Sequence, residues 1–268
     1  MNIATINDKE FSQFQNLIYK IAGISLSPAK KPLVSGRLAK RLREHRLSSY
    51  GDYFKLLSSG SHPSEIQTAV DLLTTNETYF FRESKHFDFM RDKVLANHKK
   101  GKPFRVWSAA SSSGQEAYSI AMVAADCLGD QPWEVVASDI SSRVLERART
   151  AHYPLEQARH IPERYLSKYC LKGVGSQEGT FLVDSSLRSR VNFMQVNLNS
   201  TLPKLGEFDL VFLRNVMIYF DEETKRQVVR RIMGQLKSEG HLLIGHSESL
   251  NGIVSELKQL MPSVYRKP

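Results

Sequence analysis

Apolar positions along this chain change their period part-way through. Up to about residue 75 they recur at helical spacing. In FSQFQNLIYKIAG, residues Phe11, Phe14, Leu17, Ile18 and Ile21 mark one face of a helix that Gly23 is placed to end. After Pro32, Val34, Leu38 and Leu42 return every four residues and predict a second buried stripe. SYGDYFKLLSS and PSEIQTAVDLLTT predict two more helices, and this part carries no strand signal.

Further along, short apolar runs alternate with amphipathic ones. FRVWSAA (104–110) predicts a strand and GQEAYSIAMVAADCLG a helix. WEVVASDI (133–140) predicts a second strand. SSRVLERARTAHY predicts a helix with a serine cap. FDLVFLRNVMIYF (208–220) reads as a long strand entering an aromatic loop. DEETKRQVVRRIMGQLKSEG reads as a helix with acids in its first turn and lysine near its end. HLLIGHSESL (241–250) gives another strand and turn. Such alternation predicts an α/β, mostly parallel, doubly wound sheet. One stretch interrupts it. Residues 170–196 are glycine-rich, then β-rich, and predict a small antiparallel insert of three strands whose last strand rejoins the main sheet. The expected organisation is an all-α domain over 1–75, a linker over 76–92 and an α/β domain over 93–268.

A length of 268 residues suits two domains, and 41% hydrophobic with 24% charged residues argues against a disordered chain. No apolar run approaches the roughly 20 residues that span a bilayer, and MNIATINDKE lacks the basic flank and apolar stretch of a secretory signal. Cys127 and Cys170 have no metal-ligand spacing, and neither do the eight histidines, so no metal is expected. His86 and His246 read as structural. A reduced, cytoplasmic monomer is the expectation. The net charge of +9 adds something. It is concentrated where Lys30, Lys31, Arg37, Lys40, Arg41, Arg43 and Arg46 face a single acid, Glu44. That density favours an acidic partner; a solvated helix face is the plainer alternative.

In a doubly wound sheet the ligand lies beyond the carboxyl ends of the strands. After the first predicted strand comes AASSSGQEAY. Its lone Gly114 excludes a three-glycine dinucleotide fingerprint, while Ala109 to Ser113 permit close backbone approach. Asp139 ends the second strand, 25 residues beyond Gly114. An acid there accepts hydrogen bonds from both hydroxyls of an adenosine ribose, unless it is a helix cap. Together these positions suggest a nucleoside cofactor without a pyrophosphate. A polar loop carrying Glu116 suits a cationic one, S-adenosylmethionine, and hence methyl transfer. Between the two parts, TTNETYFFRESKHF (74–87) sets Asn76, Thr78 and Arg82 among Tyr79, Phe80, Phe81 and Phe87. An ordinary linker is polar; this one is expected to line a cleft.

Taken in order, TNETYFFRE, RVWSAASSSGQEAYSIAM, ASDIS with VLERA, FLRNVMIYFDEET and GHSESL resemble the CheR-type chemotaxis receptor methyltransferases over nearly the whole chain. NETYFFR combined with RNVMIYF is the most specific part. The chain departs from the family at Ser111, where cysteine is common, and at Gln115 and Ala117, where glutamate and proline often stand. The resemblance implies a Rossmann-like class I methyltransferase domain behind an all-α domain. It implies that S-adenosyl-L-methionine is converted to S-adenosyl-L-homocysteine while glutamate side chains on chemoreceptor cytoplasmic helices become methyl esters for chemotactic adaptation. Cofactor contacts carry over to Asn76, Thr78, Arg82, Glu116, Asp139, Asn197, Leu198, Arg214 and Asn215. Arg82 and Tyr219 carry over as the catalytic pair, with Tyr219 near the transferable methyl. KGVGSQEGT, with Gly173, Gly175 and Gly179, resembles the loop with which some members dock on a receptor's C-terminal peptide tether.

The residues suit that chemistry. A glutamate carboxylate is already a nucleophile near neutral pH, so no general base is required and orientation is the task. Lys30, Lys31, Arg37, Lys40, Arg41 and Arg43 would then dock on acidic receptor helices. Two rivals remain at this point. A nucleic-acid methyltransferase would suit the charge, but RNVMIYF lacks the proline-containing loop of base-amino methylation. A non-catalytic cofactor-binding or receptor-tethering module is disfavoured by the retention of Arg82 and Tyr219.

Overall fold

The computed structural model describes residues 5–268, which divide into two compact units. One takes the chain up to Thr75 together with Tyr219–Lys225; the other takes Asn76–Ile218 and Arg226–Pro268.

The first unit is helical, as the apolar period predicts. Asn7 and Glu10 cap each other's amides and start α1 (Asp8–Ala22), which Gly23 ends in a left-handed conformation. Next, α2 (Lys31–Glu44) buries Val34, Leu38 and Leu42 completely. Ser49 caps α3 (Tyr50–Ser58), and a proline opens α4 (Pro63–Leu73). The Phe14 ring stacks on Tyr53 and meets Tyr50 and Phe54 edge-on, tying α1 to α3. A buried acid of this core, Glu65, accepts from Tyr53 Oη at 2.6 Å and Arg41 Nε at 2.8 Å. Burial alone would raise its pKa. The Arg41 guanidinium and Tyr53 hydroxyl outweigh burial and hold it down to about 2.

The second unit opens with α5 (Lys85–Phe89), whose helix continues through a wider turn over Met90–Val94. Then β1 (Phe104–Ser108), α6 (Gln115–Leu128), β2 (Trp133–Asp139) and α7 (Ser142–Thr150) alternate as expected. They are followed by β3 (His152–Pro154), α8 (Glu163–Tyr169), β4 (Cys170–Lys172), β5 (Thr180–Val183), α9 (Ser185–Arg188) and β6 (Val191–Gln195). The chain ends with β7 (Phe208–Leu213), α10 (Glu222–Met233), β8 (Leu236–Ile244), β9 (Lys258–Met261) and β10 (Val264–Arg266). The main sheet has the order β6-β2-β1-β7-β8-β10-β9. Strands β6 to β8 are parallel, and β10 and β9 close the edge antiparallel. Crossing between β1 and β2, α6 is apolar almost all round and buries Ala117, Ile120, Ala121, Met122, Val123 and Ala124. Among the described residues no helix is long and apolar enough to cross a membrane.

Three local expectations change. The antiparallel sheet is built β3-β5-β4, so it begins at His152, before the 170–196 stretch, although β6 does rejoin the main sheet. The cause is Tyr153, whose ring is buried against Phe80 and Phe181 and whose hydroxyl donates to the Ser113 carbonyl at 2.7 Å. The strand expected to reach residue 220 stops at Leu213, and Met217–Tyr219 form a 3-10 turn. The helix expected to reach residue 240 stops at Met233. Leu236 is instead fully buried opposite Phe208 of β7, and Lys237 pairs with Asp209 at 2.7 Å rather than facing a helix end.

Candidate active site

The carboxyl ends of β1, β2, β6 and β7 lie side by side; Asp139 ends β2, Glu116 lies in the helix after β1, Asn197 and Leu198 follow β6, and Arg214 and Asn215 follow β7. At the end of β1 the chain turns through Ala109–Gly114 into α6. Gly114 has φ +94°, and a Cβ there would lie 2.9 Å from both Ala148 Cβ and Tyr153 Oη, so the turn requires glycine. Ser111 is buried with its hydroxyl lacking a partner, so a thiol there would forfeit no hydrogen bond. Asp139 is buried. Its two carboxylate oxygens accept the Ser112 and Ser141 amides, both at 2.9 Å, so it clamps the β1 turn to the β2 end. The Ser112 hydroxyl in turn donates to the Asn76 carbonyl at 2.9 Å. Asn197 accepts the Asn199 amide, and the Leu198 carbonyl accepts from Arg231.

The strongest electrostatic feature is centred on Arg214, whose side chain is 1% exposed. Its guanidinium pairs with Glu116 at 3.2 Å and Glu83 at 3.1 Å, and also donates to the Arg82 carbonyl. Glu83 further accepts from Asn215 Nδ2 at 3.1 Å and the His246 amide at 3.2 Å. Ser108 Oγ donates to Glu116 at 2.7 Å. Burial pushes the Glu116 carboxyl above its ordinary value against the pull of Arg214, whereas Arg214 and Asn215 outweigh burial and lower Glu83. Strain accompanies this: Phe81, Glu83, Ser112 and Asn215 all adopt left-handed backbone angles without being glycine. The Arg82 side chain is half-buried, donates to the Glu77 carbonyl at 3.0 Å and lies over the Tyr79 ring. Thr78 is half-buried beside it in the chain.

Of the aromatic segment, Phe80, Phe81 and Phe87 are core. Phe80 packs on Phe181, Phe81 stacks on Tyr165, and Phe87 meets Phe212 of β7. Their edges and Tyr79 line a pocket of about 180 Å³ with Arg91, His160 and Arg164. His86 and His246, remote in sequence, converge on Glu83; the three bring possible ligand atoms within 4.8 Å of one another. The Arg214 guanidinium holds the same Glu83 oxygen and opposes a cation there. Burial, and after it Arg214, lowers His86 to about 3 from 6.5, so it folds neutral. The unfolded chain takes up that proton as pH falls through 6.5. Stability is therefore full above pH 6.5 and lost toward pH 3, by about 1.4 kcal/mol per pH unit. Denaturant titrations at pH 7 and 5 should show this slope, and His86→Phe should remove it.

Residues 76–265 match the family described as CheR methyltransferase, SAM binding domain, and residues 9–74 match CheR methyltransferase, all-alpha domain. The chain belongs to the CheR methyltransferase family. It is 43% identical over 251 residues to the chemotaxis protein methyltransferase of Escherichia coli (strain K12), covering 92% of this chain and 86% of that protein. It is 40% identical over 263 residues to the Salmonella typhimurium protein of the same description, covering 97% and 90%. The Borreliella burgdorferi counterpart is 35% identical, with 100% of this chain and 96% of that one covered. This CheR chain is thus an S-adenosylmethionine-dependent methyltransferase of the class I fold. Its residues fit that cofactor. Glu83, Glu116 and Asp139 set three carboxylates against one buried guanidinium, an excess of negative charge suited to a ligand carrying a sulfonium and an amino group.

Other expected residues of the CheR chain have these settings. Tyr219 groups with the helical unit, where its carbonyl accepts the Ser25 amide at 2.8 Å. Within the basic stretch, Lys30, Lys40 and Arg43 are exposed, and Lys31 pairs with Asp8. Arg37 and Arg41 turn inward. Arg37 donates to the Leu73 and Thr74 carbonyls at the end of α4, and Arg41 is bound by Glu65 and Glu44. Gly173, Gly175 and Gly179 lie in the β4–β5 connection, where Val174 is 78% exposed. Sequence reasoning passed over Glu83, Ser108 and Glu248. Glu83 had a signal, an acid beside Arg82 within a run of aromatic rings; Ser108 and Glu248 had none, and the Asn215 and Ile218 amides that Glu248 binds lie thirty or more residues away.

Proposed function

We propose that this methyltransferase esterifies glutamate side chains on the cytoplasmic helices of chemoreceptors, acting in the cytoplasm as a monomer. The buried Glu83–Arg214–Glu116 array carries the reading: it fixes charge and geometry at the strand ends, as a reaction limited by orientation requires. Bound S-adenosylmethionine supplies an electrophilic methyl on a sulfonium. Glu116, Asp139, Asn76, Thr78, Asn197, Leu198, Arg214 and Asn215 hold it. Arg82 draws the substrate carboxylate into line by charge-assisted hydrogen bonding. Tyr219 orients the attacking oxygen. The substrate carboxylate arrives ionised, so the protein's contribution is orientation and exclusion of water.

Methyl-labelled S-adenosylmethionine and receptor-bearing membranes test this. Label released as methanol in mild alkali is expected. Alkali-stable label would move the reaction to nitrogen, and no label with cofactor bound would favour the binding-module reading.

Docking rests on the positive charge that begins at Lys30 and runs along α2, with exposed Lys30, Lys40 and Arg43 and half-buried Lys31 steering acidic helices, and on the β4–β5 loop around Gly173, Gly175 and Gly179 for a receptor's terminal peptide. Lys40→Glu with Arg43→Glu should lower receptor methylation roughly 10-fold at low salt and progressively less as salt is added. Arg41→Glu should instead lower the melting temperature, because it breaks the Glu65 pair. Kinetics of the double variant unchanged at low salt would remove α2 from docking.

A further inference from the structure

The turn that follows β7 is held by a carboxylate from the turn that follows β8. Glu248 Oε2 accepts the Asn215 amide at 3.0 Å and the Gly245 amide at 2.7 Å. Its Oε1 accepts the Ile218 amide at 3.2 Å, and the Met217 amide also faces the group. One side chain thereby satisfies the main-chain donors of a turn thirty residues away in the chain. The turn needs such a tie. Asn215 sits at φ +56°, in the left-handed region that few residues other than glycine adopt, and it follows directly on the buried Arg214. Space has been made for the tie at Gly245, where a Cβ would lie 2.6 Å from Asn215 Nδ2 and 2.8 Å from Glu248 Oε2. Asn215 Nδ2 is then left pointing at Glu83 Oε1.

We infer that Glu248 is a positioning residue: it holds the Asn215–Ile218 backbone in the strained turn that presents Asn215 to the cofactor. It touches neither substrate nor cofactor itself and acts through the amides it binds. A glutamine in its place keeps the size but turns an NH2 donor toward amide donors, so at least one of those bonds is lost and another N–H is faced by a donor. The inference rests on the proposed role of Asn215 as a cofactor contact.

The test uses the full-length protein and S-adenosylhomocysteine as the binding probe. In Glu248→Gln, affinity for the probe should fall about 10-fold and KM for S-adenosylmethionine should rise by a similar factor, with KM for receptor unchanged. Native-state hydrogen exchange should speed up about 10-fold at the Asn215, Ile218 and Gly245 amides while the β1 amides keep their protection. Glu248→Asp, which retains the charge on a shorter arm, should restore part of the affinity and serves if the glutamine variant folds poorly. A residue that only supports the fold would lower the melting temperature and leave the affinity of the folded protein unchanged; that outcome overturns the inference, as does unaltered exchange at the three amides. Asn215→Ala separates the layers. If it leaves probe binding intact, the cofactor role of Asn215 fails. If it weakens binding while Glu248→Gln does not, the positioning role of Glu248 fails.

Discussion

Arg214→Ala is expected to lower both stability and activity more than any other single change in the site. It leaves Glu83 and Glu116 buried without their cation. Breaking a buried pair in this way costs about 3–5 kcal/mol. For a protein of this length that corresponds to a fall in melting temperature of roughly 10 °C. The loss should shrink as pH drops toward 5, because protonation then relieves the stranded carboxylates, Glu116 first since its pKa is already raised. Thermal unfolding at pH 7 and pH 5 measures this. Arg214→Lys should fall between, since it keeps the charge but cannot span both acids with one planar group. A melting temperature unchanged at pH 7 would mean that the two carboxylates are held by other groups.

Arg82→Ala should do the reverse, sparing the fold and removing turnover. The guanidinium donates to one carbonyl, that of Glu77, and lies over one ring, that of Tyr79. Its loss should cost no more than about 1 kcal/mol of stability. If it aligns the substrate carboxylate, kcat/KM for receptor should drop on the order of 10²-fold, the scale of losing one charge-stabilising donor at a reacting centre. Cofactor binding with full turnover would remove Arg82 from the reaction.

The same contrast between local and remote causes explains what the amino-acid order revealed. Helical period in the first seventy residues, and strand–helix alternation after residue 104, are local patterns, and the elements follow them. So does Gly114, whose turn can be read from a strand, small residues and a glycine. Where the order misled, a distant partner decided. Tyr153 reads as the end of a helix but forms a strand, because its ring finds Phe80 and Phe181. Leu236 reads as helical but is needed opposite Phe208. Arg37 and Arg41 read as part of an outward positive face. Their acceptors are the end of α4 and Glu65, which nothing in the local charge pattern announces. Glu248 stays hidden for the same reason: it serves the Asn215 and Ile218 amides, thirty or more residues away.

The grouping of Tyr219–Lys225 with the helical unit bears on how this protein can be cut. The polypeptide passes between the units three times, after Thr75, after Ile218 and after Lys225. A fragment starting at Asn76 would keep Phe220 but lose Ile24, its bridge partner, and would leave the Tyr219 carbonyl without the Ser25 amide. The helical part is therefore not a detachable module. Truncation experiments would report damage to the 219–225 segment as well as loss of the helices, and chimeras between relatives should exchange 219–225 together with the first 75 residues.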